Sequence, residues 1–152
     1  AALTARRPDI GFGADLIAGF PTETDAMFDN TLRLIADCGL TFTHVFPFSA
    51  RPGTPAARMP RLEKTVVKER AARLRATGEA ATVAHLEARL GAVERVLIEK
   101  DDFGHTEQFV PVRVAAGGVS NLPPGDIVAA RVVARDGLSL RAEALPGAGS
   151  PG

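Results

Sequence analysis

Two loops carry the residues of this chain whose types and spacing could do chemistry. The first, Gly19-Phe20-Pro21-Thr22-Glu23-Thr24, closes one apolar run; the second, Phe46-Pro47-Phe48-Ser49-Ala50-Arg51-Pro52-Gly53-Thr54-Pro55-Ala56-Ala57, closes the next. Each run reads as a buried strand that opens into a polar, turn-prone segment, and ligands of α/β sheets bind outside the carboxyl ends of the strands. Glu23 has two uses at such a place: its carboxylate can hold an amine or hydroxyl, or it can stabilise the start of the helix that follows. Thr22 and Ser49 put hydroxyls at the same edge. Phe20, Phe46 and Phe48 offer apolar surface against which a purine can rest, with a core role expected for at least one of them. From spacing alone, simple turn punctuation explains these prolines and glycines equally well.

The chain lacks the groups for self-sufficient chemistry. Its one cysteine, Cys38, excludes an internal disulfide, and an iron–sulfur cluster needs about three or four thiolates. No His/Cys cluster, serine triad or phosphate-binding glycine loop is present. Cys38 falls in the last turn of a predicted helix with nothing to activate it, and His44 reads as a packed strand residue.

Charge is balanced at 18 basic and 18 acidic residues in 152, so the total argues for neither nucleic acid nor membrane, but the distribution is uneven. Arg51 to Arg75 holds eight basic residues against two acidic ones, a stretch that can meet phosphates or simply form a solvated helix face. Arg51, Arg58, Arg61, Lys64 and Lys68 are its candidate RNA contacts. From Ala92 to Pro146 six basic residues face eight acidic ones, which weighs against a strong electrostatic grip there. Phe103 and Phe109 could stack on bases or belong to the core, and His105, in a predicted turn, is a contact candidate or a solvated histidine. No apolar run is long enough to span a membrane and no secretory leader is visible, so a cytoplasmic location is expected.

These groups need elements to position them. Residues 13–20 predict a buried parallel strand and Leu40–Phe48 a second. Between them Thr24 can cap a helix whose buried face carries Met27, Phe28, Thr31, Leu32 and Ile35, with Gly39 ending it. Such a crossover makes the strands parallel and opens both loops on one edge. After a proline-rich loop comes a long helical stretch, Glu63–Leu90, with Val67, Ala71, Leu74, Gly78 and Ala81 on one stripe; Gly78 is read as a break between two helices. Short β-rich runs follow at 93–99, 107–114, 127–134 and 138–144, separated by turns that include Gly117-Gly118, and predict a small antiparallel barrel of four or five strands. The tail 146–152 reads as disordered, and the opening residues as the last turns of a helix cut in the middle, so the chain reads as a fragment.

Taken together, Gly-Phe-Pro-x-Glu-Thr, the strand ending His44-Val45-Phe46-Pro47-Phe48-Ser49, the following Arg51-Pro52-Gly53-Thr54-Pro55-Ala56-Ala57 and the small β-domain resemble the radical S-adenosylmethionine (SAM) methylthiotransferases over nearly the whole chain. The pattern is most similar to the branch that methylthiolates threonylcarbamoyladenosine in tRNA; sister branches acting on isopentenyladenosine in tRNA or on a ribosomal protein aspartate match less well. The resemblance implies an α/β plus all-β fold. Residues 1–60 would be the C-terminal part of a radical SAM partial (β/α) barrel, 61–91 a helical connector, and 92–145 a TRAM-like β-barrel that engages substrate. It implies SAM and two 4Fe-4S clusters, one reducing SAM to a radical that abstracts hydrogen from the adenine ring and the other involved in sulfur delivery, with cysteine ligands outside this chain. Ile17, Gly19, Phe20, Glu23, Phe46, Phe48 and Ser49 become the cofactor contacts, Glu23 standing one position later than the carboxylate of the superfamily's Gly-x-Ile-x-Gly-x-x-Glu pattern. His105 and Arg113 become RNA contacts of the barrel. The partners implied are tRNA and the missing N-terminal portion of the same polypeptide, with oligomeric state left open. The rival reading is a non-catalytic RNA-binding module in which only the β-domain works.

Overall fold

After a short helix α1, Ala2–Arg6, the run before the first loop becomes strand β1, Phe12–Ala18. Helix α2 is Asp25–Asp37, and the run before the second loop is β2, Leu40–Pro47. The computed structural model describes residues 2–116 and 122–146; the Gly117-Gly118 turn, the tail from 147 and Ala1 lie outside them. The strands pair in parallel, from Phe12 opposite Leu40 to Ala18 opposite Pro47, so both loops leave from the same edge as expected. Thr24 caps α2 by accepting the Met27 N–H at 3.2 Å, and Gly39, at φ +61°, follows the helix in the left-handed conformation.

Burial differs from the expectation of strands covered on both faces. Leu16 and Ala18 turn into a core with Phe28 and Ile35 of α2 and Ala71 and Leu74 of the next helix. The opposite face stays open: Asp15 stands opposite His44, and Ile17 opposite Phe46, with Ile17 57% and Phe46 51% exposed. Helices cover one face only, so β1 alternates in burial, and His44, expected to be packed, is exposed. Met27, placed on the buried face by spacing, is also exposed; the inward stripe of α2 is the narrower set Phe28, Leu32 and Ile35.

Helix α3 runs unbroken over Lys64–Glu87, so Gly78 marks no break. A Cβ at Gly78 would lie 1.9 Å from Thr43 Oγ1; the missing side chain lets α3 approach β2 closely, which outweighs the usual cost of glycine in a helix interior. Thr82 Oγ1 donates to Thr41 O at 2.7 Å, and Arg75 Nη2 donates to Val45 O at 3.2 Å, holding the same pair of elements together.

The chain divides into two compact units, Gly11–Thr82 and Ala1–Ile10 with Val83–Gly152. Their division at 82/83 falls within α3. Residues before Ile10 group with the β-domain, where Gln108 Nε2 donates to Asp9 Oδ2 at 2.9 Å. The second unit is a closed barrel of five strands: β3 Val93–Lys100, β4 Phe103–Thr106, β5 Pro111–Ala115, β6 Ile127–Asp136 and β7 Ser139–Ala144, in the order β3-β4-β5-β7-β6. Two expectations are corrected. The run 107–114 is not one strand, because residues 107–110 form the turn between β4 and β5, and the barrel is mixed, because β5 and β7 pair in parallel. Alternation does the packing: Val96, Ile98, Val112, Val114, Leu140 and Ala142 are buried while their neighbours along the strands are exposed or half-buried.

His85 sits half-buried near the end of α3. Burial, assisted by the Arg89 charge and opposed by Glu94, lowers its pKa below the ordinary 6.5. The folded chain therefore keeps His85 neutral at pH values where the unfolded chain protonates it. Its contribution favours folding above about pH 6.5 and declines as pH falls below that value, levelling off under the folded-state pKa. The urea midpoint should drop between about pH 7.5 and 5.5, and His85→Gln should reduce the drop; an equal drop in both proteins would show that His85 is not its source.

Candidate functional site

The first loop leaves β1 at Gly19, whose φ is +81° and where a Cβ would lie 2.7 Å from both methyls of Val67. Backbone conformation and close approach both require glycine. The Gly19 N–H donates to Glu23 Oε2 at 2.9 Å. The same oxygen accepts from Arg70 Nη1 at 2.7 Å, and Nη1 also reaches the Glu23 carbonyl at 2.8 Å. Arg70 Nη2 donates to Asp25 Oδ1 at 2.6 Å. The Arg70 and Glu23 side chains are 8% and 9% exposed, whereas Asp25 is 96% exposed. Arg70 lies 5.4 Å from the centroid of the Phe28 ring, within cation–π range. Burial alone would lower the Arg70 pKa, but hydrogen bonds and charge from Glu23 and Asp25 outweigh it and hold the guanidinium above its ordinary value. Glu23 therefore fixes the loop against α3, and its bonded oxygen points into the protein.

The second loop is tied to the first. The Phe48 N–H donates to Ala18 O at 2.8 Å, and the Phe20 and Phe48 rings meet edge to face with centroids 5.3 Å apart. Between these loop ends and α3 lies a cavity of about 380 Å³. Gly19, Phe48 and Ser49, proposed from sequence as cofactor contacts, line it together with Arg61, Lys64 and Lys68, proposed as RNA contacts. Arg75 adds a fourth cation, and Leu62, Val67 and Ala71 supply apolar wall. Among the described residues no carboxylate lines the cavity. An arrangement of cations beside apolar surface suits an organic anion, with phosphate on the charges and a ring or chain on the apolar side.

The remaining sequence candidates lie elsewhere. Ile17 and Phe46 share the open sheet face, Phe20 is 39% exposed beside Phe48, and Arg51 and Arg58 are exposed without lining the cavity. None of Phe20, Phe46 and Phe48 joins the buried cluster, against the expectation for at least one. In the barrel, His105 Nδ1 lies 3.0 Å from Glu99 Oε1, and Arg113 Nη1 donates to Asp102 Oδ1 at 2.8 Å. Cys38 is exposed at the end of α2. Among the described residues no group of three or more His, Cys, Asp or Glu could hold a metal ion, and no helix is long and apolar enough to cross a membrane.

Sequence reasoning missed Arg70 and the specific place of Arg75. The signal for Arg70 was present: Val67, Arg70, Ala71 and Leu74 fall at the three- and four-residue spacing of an inward stripe, and a lone arginine on such a stripe calls for a carboxylate partner.

With this geometry established, comparison with known proteins is informative. No protein-family model matches the chain. It is 48% identical over 112 residues to a threonylcarbamoyladenosine tRNA methylthiotransferase MtaB of Rickettsia prowazekii, a match covering 74% of this chain and 27% of that protein. It is 45% identical over 100 residues to a tRNA-2-methylthio-N(6)-dimethylallyladenosine synthase of Chromobacterium violaceum, covering 64% of this chain and 22% of the relative. A synthase of the same name from Xanthomonas campestris is 42% identical over 118 residues, covering 72% and 24% respectively. The chain is a homologue of the methylthiotransferases, and it spans about a quarter of the length of the curated relatives it matches.

Breaking the buried pair should be costly because it strands a charge. Arg70→Met should destabilise the protein by about 3 kcal/mol, Asp25→Ala by under about 1 kcal/mol, and Arg70→Met combined with Glu23→Gln by less than the sum of Arg70→Met and Glu23→Gln made singly. Urea denaturation of the four variants checks this, and additive losses would show that the pair does not act as a unit.

Proposed function

We propose that this chain is a segment of a tRNA methylthiotransferase of the radical SAM type, and that the whole enzyme methylthiolates the adenine ring of threonylcarbamoyladenosine. The 48% identity to a relative bearing that activity in its name carries the reading. The architecture is compatible with it. In a (β/α) barrel one face of each strand packs on the surrounding helices and the other faces the interior. β1 and β2 divide in that manner, with Leu16 and Ala18 toward α2 and α3 and Ile17 and Phe46 open. Both outer edges of this two-stranded sheet lack a strand partner among the described residues, which suits the last strands of a larger sheet.

On this reading the open face carries the apolar wall for the adenine of SAM, through Ile17 and Phe46. SAM, with the clusters, supplies the radical chemistry; this chain's residues bind and orient. Gly19, Phe20, Phe48 and Ser49 shape the edge of that wall, and Glu23, held by Arg70, keeps the edge in place. One cysteine cannot hold a cluster, so the ligands of both 4Fe-4S clusters belong to other parts of the polypeptide. The cations Arg61, Lys64, Lys68 and Arg75 meet tRNA phosphates, with Arg51 and Arg58 adding to the same field. The five-stranded barrel is the TRAM-like substrate domain, and the enzyme works in the cytoplasm on tRNA.

Nucleoside mass spectrometry of tRNA from a strain lacking the gene tests the reaction. The methylthio group should be lost from threonylcarbamoyladenosine; loss from the dimethylallyl nucleoside instead would assign the sister activity, and unchanged nucleosides would refute the proposal. For the phosphate contacts, changing Arg61, Lys64 and Lys68 together to Gln should weaken binding of an anticodon stem–loop RNA. It should also reduce the slope of log affinity against log salt by about 2 to 3. An unchanged slope would remove these side chains from the interface.

A further inference from the structure

The turn at 107–110, between β4 and β5, is built to hold one aromatic ring in solvent. Phe109 is 84% exposed, and its φ is +59°, a conformation that a bulky residue adopts only at a cost. The turn is not loose. The hydroxyl of buried Thr106 accepts the N–H groups of Gln108 and Val110, each at 3.3 Å. The Thr106 N–H donates to Val110 O and the Phe109 N–H donates to Thr106 O, both at 3.0 Å. The Gln108 side chain is tied to Asp9, and Val110 anchors the far side at 2% exposure. The strain therefore purchases no burial for the ring; it fixes where the ring is displayed.

Beside Phe109 lies a shallow cavity of about 200 Å³ lined also by Leu97, Ile127, Arg95 and His105. Leu97 and Ile127 are partners across β3 and β6 and are 43% and 42% exposed. The polar side chains of this groove already partner one another: Arg95 Nη1 donates to Glu107 Oε1 at 2.9 Å, and His105 Nδ1 lies 3.0 Å from Glu99 Oε1. A surface whose polar groups are paired within itself, with an exposed aromatic face and aliphatic wall, complements a flat uncharged ring carrying polar edges rather than a phosphate.

We propose that this groove is a base-stacking site: one unpaired nucleobase of an RNA strand stacks on Phe109 against Leu97 and Ile127. This rests on the reading of the chain as part of a tRNA-modifying enzyme, and it deepens that reading by giving the barrel an unpaired nucleotide as its ligand. Phe103, the other aromatic considered for stacking, is already packed, edge to face with His105 and beneath Arg113. Because stacking uses the π face that every base has, the site selects single-stranded over paired RNA and discriminates weakly among bases.

The test uses the full chain with two RNAs of equal length, an anticodon stem–loop and a continuous duplex, measured by fluorescence anisotropy at several salt concentrations. Phe109→Ala should weaken the stem–loop about tenfold and leave duplex affinity and the salt slope unchanged; Phe109→Tyr should retain the wild-type preference. A 2-aminopurine placed in turn at each loop position should be quenched by the wild type at one position and not by Phe109→Ala. Tight stem–loop binding equally insensitive to both changes, with no position quenched, would overturn the stacking site while leaving the tRNA reading intact. No binding of either RNA by the wild type would count against the tRNA reading itself. Far-ultraviolet circular dichroism and the urea midpoint of Phe109→Ala check that the barrel persists, which an exposed side chain predicts.

Discussion

The arrangement of the first unit depends on one buried charge pair. Arg70 and Glu23 are 47 residues apart and together nearly sealed from solvent, so neither could be there alone without a large desolvation cost. Because the Glu23 oxygen also receives the Gly19 N–H, one interaction fixes the exit of β1, the start of α2 and the position of α3. The glycine is part of the same constraint: with Val67 methyls where its Cβ would be, α3 can come close enough for Arg70 to reach. Cavity, clamp and loop are thus one construction, and the cations of α3 face the loop ends because Arg70 holds the helix there.

Much of this was legible. The strand–helix–strand unit could be read because Thr24, Gly39 and the Phe28, Leu32, Ile35 spacing are local signals, and the parallel orientation followed from the crossover. Burial on the two strand faces was not legible, since an apolar run reads the same whether helices cover one face or two. That ambiguity misplaced His44, while Met27 was misplaced because the inward stripe of α2 is narrower than its spacing suggested. Gly78 misled for a related reason: glycine in a helical pattern can mean a break or a close approach, and only the position of Thr43 distinguishes them. In the barrel, a β-rich stretch hid a turn because Thr106 organises it through its hydroxyl, and the parallel pairing of β5 with β7 is a long-range outcome that short runs do not encode.

The site was legible in its parts and not in its grouping. Phe46 was found as a strand-end apolar residue and Ile17 through the family resemblance, and the structure sets them opposite each other on an open face. Two sets chosen for different ligands, Gly19, Phe48 and Ser49 on one side and Arg61, Lys64 and Lys68 on the other, turned out to share one cavity. Sequence could not show this because the two sets come from separate loops and a helix that meet only through tertiary packing. Arg70 was overlooked because a count of basic residues treats all cations alike, whereas this one is consumed internally while Lys64 and Lys68 of the same helix line the cavity.

That difference between engaged and open charge separates the two surfaces chemically. The cavity against α3 collects four cations with no acid among its described lining residues, while the barrel groove pairs Arg95 with Glu107 and sets His105 Nδ1 against Glu99 Oε1. Phosphate contacts position a nucleic acid and carry no sequence information, whereas contacts to bases do. On the reading proposed, the first surface supplies grip that fades with salt, and the second supplies a preference for an unpaired nucleotide that does not. The slight acidity of the barrel then has a physical sense: a substrate domain that repelled phosphate weakly would be held to RNA chiefly through an exposed base, and paired RNA would have little to bind there.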